Sequence, residues 1–170
     1  KNLNLKLFEM GTVFCANDKM FPEERIELCI LLSGQKNPEL FSDALKGQYD
    51  FYDMKGLLES LLEVCGIVNY SFEKVNDERF VAGQSATLLL NNKIAGNFGL
   101  IANKFSKGLR TEYPIFVAQI EVDAILKTQV KDNSPYFTPV PQYPATTRDV
   151  AFVADKSLKH QAVIKFIENA

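Results

Sequence analysis

Residues 85–101, SATLLLNNKIAGNFGLI, contain the clearest strand signal in the chain. Two apolar runs flank Asn91 and Asn92, and asparagine is one of the few residues besides glycine that readily adopts positive φ angles. A tight two-residue turn between antiparallel strands needs such angles at both central positions. The stretch therefore predicts a β-hairpin with its turn at these two asparagines.

Four further segments predict strands: residues 3–14, 26–32, 68–75 and 115–122. In the first of them, Leu3, Leu5 and Leu7 lie on one face while Phe8 and Met10 lie on the other, which predicts a strand covered on both sides. Strands follow one another with few helices between them, so the sequence predicts an α+β fold with a mainly antiparallel sheet flanked by helices.

The strongest helix signal is residues 50–66, DFYDMKGLLESLLEVCG. Its apolar residues recur at spacings that place them on one stripe, which we expect to lie on the sheet. Asp50 or Asp53 can cap the start of this helix, and Gly66 can end it. Residues 123–126 predict a second, shorter helix.

Length and composition allow a folded core, since 46% of the 170 residues are hydrophobic. The net charge of −2 argues against binding nucleic acid by bulk electrostatics, and no DNA partner is expected. No apolar run approaches the roughly 18 residues needed to span a bilayer, so we expect no membrane partner and a cytosolic protein. The three cysteines, far apart and accompanied by one histidine, predict buried reduced thiols and no metal site.

The last forty residues predict a boundary and the start of a second unit. Four of the seven prolines fall in residues 131–144, which is typical of a stiff linker. Residues 143–154 then predict a turn and a strand, and Ser157 can cap a helix that continues to Ile167. Because one strand and one helix cannot bury each other fully, we expect Ile164 and Ile167 to be exposed.

The sequence has no phosphate-binding GxxxxGK[ST] loop, and it has no GxSxG or HExxH motif. Glu9 stands out because a charge in an apolar strand needs a partner or a wet cleft. The sequence leaves two explanations for Glu9: an ion pair with a residue such as Arg25 on the next strand, or a remnant of an active site. Lys104, Lys107 and Arg110 form a small basic cluster, either solvated or in contact with phosphate.

Taken together, several motifs resemble the C-terminal half of the phenylalanyl-tRNA synthetase β subunit of bacterial type. LKLFEMGTVF (residues 5–14) and LLSG (residues 31–34) are similar to two of its strands, the first usually written LFEIGRVF. Residues 50–56 are similar to DFFDLKG, and residues 143–155, YPATTRDVAFVAD, to FPAVRRDLALVVD. Residues 83–101 are similar to a segment written HPGRSA…GxxIGxIGELHP.

The resemblance implies a domain organisation. Residues 1–130 are expected to form a non-catalytic copy of the class II aminoacyl-tRNA synthetase core, followed by the linker of residues 131–144. Residues 145–170 are expected to form the first strand and helix of an incomplete ferredoxin-like anticodon-binding domain.

The resemblance also implies a vestigial active site. Working class II enzymes carry Arg-x-Glu in the second-motif strand, where the arginine holds the ATP α-phosphate. If Glu9 takes the place of the glutamate, Leu7 takes that of the arginine, and a leucine offers a phosphate no donor. Residues 81–86, VAGQSA, lack the His, Pro and Arg of the HPGRSA motif, and residues 99–103, GLIAN, depart from GELHP.

Function and partners follow as expectations from the same resemblance. The chain would be a part of phenylalanine–tRNA ligase that docks the catalytic α subunit in an αβ heterotetramer and positions tRNA(Phe) for ATP-dependent aminoacylation. ATP and Mg²⁺ would act in the holoenzyme, with no catalytic residue, metal or cofactor in this chain.

Candidate tRNA contacts are Arg148 and Lys159, besides Lys104, Lys107 and Arg110. Arg148 could instead form an ion pair with Asp149 or Asp155. The alternatives for the whole chain are a free-standing RNA-binding module and a small-ligand module with a retained pocket near Glu9.

Overall fold

The computed structural model describes residues 4–16, 20–42, 46–109, 111–128, 139–140, 142–158 and 160–168. The chain divides into two compact units, Lys1–Ser134 and Pro135–Ala170. The linker predicted at residues 131–144 lies mostly outside the described residues.

The first unit is built on a six-stranded sheet. Its strands are β1 (Leu5–Cys15), β2 (Glu23–Ser33), β3 (Tyr70–Lys74), β4 (Phe80–Leu90), β5 (Lys93–Ile101) and β6 (Ile115–Glu121). They lie in the order β1-β2-β6-β5-β4-β3, and every neighbouring pair is antiparallel. The predicted α+β fold with a mainly antiparallel sheet is confirmed.

The hairpin of β4 and β5 turns at the predicted pair of asparagines. Asn91 has a φ of 48° and Asn92 a φ of 62°, as a tight turn between right-twisted strands requires. A side chain at Gly96 of β5 would overlap the backbone of Gln119 on β6. The close approach of these two strands therefore depends on a residue without a Cβ atom.

The long helix α1 (Phe51–Val64) has the predicted boundaries. The Oδ1 atom of Asp50 accepts hydrogen bonds from the backbone N–H groups of Tyr52 (2.8 Å) and Asp53 (3.1 Å), and the Asp53 side chain accepts one from the Asp50 N–H (2.7 Å). This capping box satisfies donors that a helix start leaves unpaired. Gly66 follows with a φ of 71°, which suits a helix end.

The core lies between α1 and one face of the sheet. The buried face of α1 contributes Met54, Leu58 and Leu62, and the central strands contribute Leu88 and Phe98 among others. The shorter helices of this unit are α2 (Asn103–Ser106) and α3 (Val122–Thr128), and α3 adds Ile125 to the core. The predicted packing of the long helix on the sheet is confirmed.

Strand β1 differs from the prediction of a strand covered on both sides. It is the first strand of the sheet order, and most of its side chains are exposed, Phe8 by 80% and Met10 by 63%. The apolar residues on both faces predict two buried faces, but within the described residues the helices cover the central strands and leave β1 exposed. The prediction of three buried cysteines was also wrong, because Cys29 is exposed and the other two are half-buried.

In the second unit, α4 (His160–Glu168) confirms the predicted helix, whereas residues 143–154, where a turn and a strand were predicted, form no strand. A strand is defined by hydrogen bonds to a neighbour, and no described residue of this unit supplies one. The Ser157 hydroxyl donates to Oδ1 of Asp155 (2.6 Å), while Lys159, which separates the predicted cap region from the helix, lies outside the described residues. Ile164 is 38% and Ile167 57% exposed, as expected for an apolar helix without a full partner.

Candidate functional site

The face of the sheet opposite α1 carries a row of polar side chains. In antiparallel pairs, directly opposed residues point to the same face. Register places Gln119 of β6 between Cys29 of β2 and Asn97 of β5, and Asn97 is opposite Thr87 of β4. Four neighbouring strands therefore contribute to one polar surface.

Arg79, just before β4, is held over this surface by Asp77. Its Nε atom lies 3.1 Å from Oδ1 and 3.0 Å from Oδ2 of Asp77, and its Nη2 atom lies 2.7 Å from Oδ2. The remaining Nη1 atom donates to Oε1 of Gln119 at 2.7 Å. The guanidinium is thus bound on two sides by groups of the same chain.

Gln119 connects Arg79 to the buried carboxylate of Glu27. Its Nε2 atom donates to Oε2 of Glu27 on β2, and Glu27 is only 8% exposed. The other carboxylate oxygen of Glu27 lies 2.9 Å from Nε of Arg25. A buried charge is costly unless it is paired and hydrogen-bonded, and Glu27 has both kinds of partner.

Asn97 and Thr87 extend the network across the hairpin. The amide of Asn97 donates to Oδ2 of Asp77 at 3.4 Å, and its carbonyl accepts from the Thr87 hydroxyl at 2.8 Å. We call the connected set of Arg25, Glu27, Thr87, Asp77, Arg79, Asn97 and Gln119 the polar network.

Hydrogen bonding within the polar network favours the charged forms of Asp77 and Arg79. Hydrogen bonds from the Arg79 side chain hold the pKa of Asp77 below its usual value, against the smaller opposite effect of burial. The same hydrogen bonds raise the pKa of Arg79. Both groups are ionised across the physiological range.

A pocket of about 210 Å³ opens beside the network. The charged side chains that line it are two arginines and two glutamates, Arg25, Arg79, Glu27 and Glu121. Each guanidinium already has a carboxylate partner at hydrogen-bond distance, so the positive charges that line the pocket are balanced by negative ones. The pocket has no surplus of positive charge with which to hold a nucleotide.

The predicted vestigial positions lie on β1, outside the polar network. Glu9 is exposed and opposite Cys29, while Leu7 is 54% exposed and opposite Leu31. Arg25 is opposite Val13, four residues from Glu9, or about 13 Å along the strand. Arg25 pairs with Glu27, so the ion pair between Arg25 and Glu9 is not formed.

Three of the five predicted RNA-contacting cations are among the described residues. In α2, Lys104 forms an ion pair with Glu78 at 2.6 Å and lies over the Phe105 ring, while Lys107 in the following turn is exposed. In the second unit Arg148 is exposed, and Asp155, one of its two suggested partners, instead accepts hydrogen bonds from Ser157. Arg110 and Lys159 lie outside the described residues.

Sequence reasoning missed the polar network, although a signal was present. Glu27 interrupts the apolar run of β2, and Gln119 interrupts that of β6. The same argument that singled out Glu9 applies to both of these residues. Asp77 and Arg79 lie in a short polar segment before β4, and nothing in the sequence connects them to Gln119, forty positions away.

The described residues were also compared with the requirements of a metal site and of a membrane-spanning helix. Across the part of the chain that the structure describes, no group of three or more His, Cys, Asp or Glu side chains could hold a metal ion. Within the same residues, no helix has the length and apolar character needed to cross a bilayer.

Comparison with protein families decides the family. The model for the family described as "Phenylalanyl tRNA synthetase beta chain CLM domain" matches residues 1–122. The chain belongs to this family. The β-chain CLM match lies entirely within the unit that contains the six-stranded sheet and the polar network.

Curated relatives of this β-chain family agree along nearly the whole chain. The phenylalanine–tRNA ligase β subunit of Carboxydothermus hydrogenoformans is 32% identical over 166 residues, covering 97% of this chain and 20% of the relative. The β subunit from Fusobacterium nucleatum is 31% identical over 173 residues, covering 97% of this chain and 21% of the relative. The chain spans about a fifth of the length of these relatives.

A solved structure shares the fold. A pyrrolysyl-tRNA synthetase from Desulfitobacterium hafniense superposes with a TM-score of 0.52 at 12% identity, over 76% of this chain and 43% of that one. This structural similarity, like the antiparallel sheet itself, supports an α+β fold.

Proposed function

We propose that this chain is a non-catalytic module of the phenylalanine–tRNA ligase β subunit, with a core of the class II synthetase type. Its role is to dock the catalytic α subunit in the cytosolic αβ heterotetramer and to help position tRNA(Phe) for ATP-dependent aminoacylation. Residues 1–130 form the core-like domain and residues 131–144 the linker. Residues 145–170 form the start of a ferredoxin-like anticodon-binding domain.

The closed polar network is the observation that carries the non-catalytic part of this proposal. A nucleotide site needs cations that are free to meet phosphate charge as it develops in the transition state. Arg79 and Arg25 are instead bound by Asp77 and Glu27 on the face of the sheet that could hold a substrate. Leu7, in the place where the family resemblance puts the phosphate-binding arginine, removes the remaining candidate donor.

The docking part of the proposal draws support from the relatives and from the surface. The curated relatives are named as β subunits, and a β subunit implies an α subunit. Large apolar side chains are exposed along β1 and just before β2, Phe8, Met10, Phe14 and Phe21 among them. An exposed apolar patch of this kind is typical of an interaction surface.

For tRNA we propose contact through exposed cations, Arg148 and Lys107 first. Neither has an ion pair with a described residue, whereas Lys104 is partly neutralised by Glu78. Such contacts position an RNA backbone without reading its sequence, which suits a non-catalytic module. Lys159 and Arg110 belong to the same proposal on sequence grounds alone.

Coexpression with a bacterial phenylalanyl-tRNA synthetase α subunit tests the docking role. We expect an affinity tag on this chain to retain the α subunit, and a Phe8→Asp/Met10→Asp variant to retain much less. A matched control is Ile94→Asp, since the exposure of Ile94 (70%) lies between those of Phe8 and Met10 but the residue is on β5. Failure of the wild-type chain to retain the α subunit would contradict the docking proposal.

Calorimetry tests the absence of a nucleotide site. We expect no saturable heat when the chain is titrated with Mg-ATP or with phenylalanine. Micromolar binding of either ligand, lost in an Arg79→Ala variant, would show that the pocket beside the polar network is functional and would overturn the non-catalytic reading.

A further inference from the structure

The pocket beside the polar network has room for a small ligand. Its volume is about 210 Å³, and one water molecule takes up about 30 Å³ of liquid, so the pocket has the volume of about seven water molecules. Its walls come from β2, β5 and β6 and from Arg79 just before β4. The pocket is therefore formed by interior strands of the sheet and not by its edges.

Two opposite charges at this pocket are close to each other without forming an ion pair. Glu27 on β2 is directly opposite Glu121 on β6, which makes Arg25 and Glu121 diagonal neighbours on the polar face, about 7–8 Å apart. Among the described residues, the Glu121 side chain has neither an ion pair nor a hydrogen bond. Arg25 binds Glu27 through Nε, at 2.9 Å, and its two Nη groups have no hydrogen-bond partner in the same part of the chain.

The charges that line the pocket match a zwitterion better than an anion or a cation. Two arginines and two glutamates balance each other, so a ligand with a single charge gains no net attraction. The ammonium group of a zwitterion can donate to the Glu121 carboxylate, while its carboxylate accepts from the Nη groups of Arg25. An ammonium beside Glu121 also offsets the repulsion between that carboxylate and Glu27, directly opposite.

We propose that this pocket binds a small α-amino acid with a short polar side chain, of the size of serine. The side-chain amides of Asn97 and Gln119 line the same pocket, and each uses one of its two N–H groups within the polar network. The second N–H of either amide is available to a ligand hydroxyl. This inference concerns binding alone and does not depend on the proposed docking of an α subunit.

The lining does not suit an aromatic amino acid. Its apolar part consists of Ile94, Ala95 and Gly96, and Ile94 is 70% exposed. A benzyl group would therefore remain largely in water and would gain little from burial. Binding of a serine-sized ligand is thus compatible with the absence of a phenylalanine site in the proposed function.

A titration followed by two-dimensional NMR spectra of the backbone amides tests the binding. We expect L-serine to shift the signals of residues 25–27, 95–97 and 119–121 saturably, with a Kd on the order of 1 mM because so small a ligand makes few contacts. Ethanolamine and hydroxypropionate, which each lack one charged group of serine, should bind at least about tenfold more weakly. L-phenylalanine should give no saturable shift.

The analogue series uses only the wild-type chain, so it does not depend on whether any variant folds. No saturable shift with L-serine up to about 20 mM would refute the proposal. Binding of either single-charge analogue as tightly as L-serine would refute the zwitterion argument. Equal binding of L-phenylalanine would contradict the selectivity for a short side chain.

Two substitutions locate the contacts. Glu121→Gln removes the charge and keeps the shape, and Arg25→Lys keeps a cation for Glu27 but removes both Nη groups. Each should weaken L-serine binding about tenfold. Glu24→Gln is the matched control, since Glu24 is exposed on β2 but lies on the opposite face of the sheet, and its Kd should equal that of the wild type. Unchanged binding in both Glu121→Gln and Arg25→Lys would place L-serine elsewhere and overturn the proposal.

Discussion

Replacing Asp77 by asparagine should destabilise the sheet measurably, because this carboxylate holds the Arg79 guanidinium over the polar network. Asp77→Asn preserves the shape of the side chain but removes its charge. The Asp77 side chain is 16% exposed and accepts from Nε and Nη2 of Arg79 at 2.7–3.1 Å, besides the Arg79 backbone N–H at 2.9 Å.

The magnitude follows from these contacts. Hydrogen bonds to charged groups contribute about 1.5–3 kcal/mol, but water can solvate part of the Arg79 side chain, which is 46% exposed. We therefore expect a loss of about 1–2 kcal/mol in the free energy of unfolding at pH 7. In urea this corresponds to a midpoint lower by about 0.5–1 M, measured by far-UV circular dichroism.

The pH dependence gives a second, independent signature. Because the pKa of Asp77 is lowered in the folded state by hydrogen bonds from Arg79, its contribution is fully present above the unfolded pKa of about 3.9. The contribution is lost as the pH falls through the lower folded pKa. The unfolding free energies of the wild type and of Asp77→Asn should therefore converge at acid pH and differ at neutral pH.

Glu78→Gln is the matched control. Glu78 is the next residue along the chain, but both side chains of its ion pair with Lys104 are exposed. We expect a change of less than about 0.5 kcal/mol. Equal effects of the two substitutions, or a difference for Asp77→Asn that persists at acid pH, would refute the reasoning that the polar network stabilises the sheet.

Three further substitutions test the fold. Leu58→Ala, at a fully buried position of α1, should cost about 2–5 kcal/mol and lower the urea midpoint accordingly. Asp50→Ala removes the N-cap of α1 and should lower the free energy of unfolding by about 1 kcal/mol, which we expect to see as a lower thermal midpoint. An unchanged midpoint would mean that Asp53 and solvent replace the cap. Gly96→Ala would force the β5 backbone away from Gln119. We therefore expect a destabilisation of more than about 1 kcal/mol and faster amide hydrogen exchange in β6. No change in either measurement would contradict the close approach of the two strands.

Local chemistry explains which elements were predictable from sequence. The asparagine turn and the capped helix α1 each depend on residues within one short segment, and their boundaries follow from positive φ angles and a capping box. The succession of strands likewise indicated an antiparallel sheet. Family membership rested on motifs of the same local kind.

The sequence-based prediction was wrong where the structure of a segment depends on which other elements pack against it or pair with it. Apolar residues on both faces of β1 indicated a strand with two covers, yet this strand is at the sheet edge and exposes Phe8 and Met10. Residues 143–154 have a strand-like pattern but no described neighbour to pair with. Periodicity records which side chains favour burial and says nothing of whether a partner surface is present.

The amino-acid sequence alone was sufficient for the fold class, the hairpin, the long helix and the family, because each depends on short-range spacing or on recognisable motifs. The polar network required the folded chain. Arg25, Asp77 and Gln119 are separated by about fifty and forty positions, and only the strand order β2-β6-β5-β4 brings their side chains onto one face. Such long-range pairings depend on which strands become neighbours, and no local pattern encodes that choice.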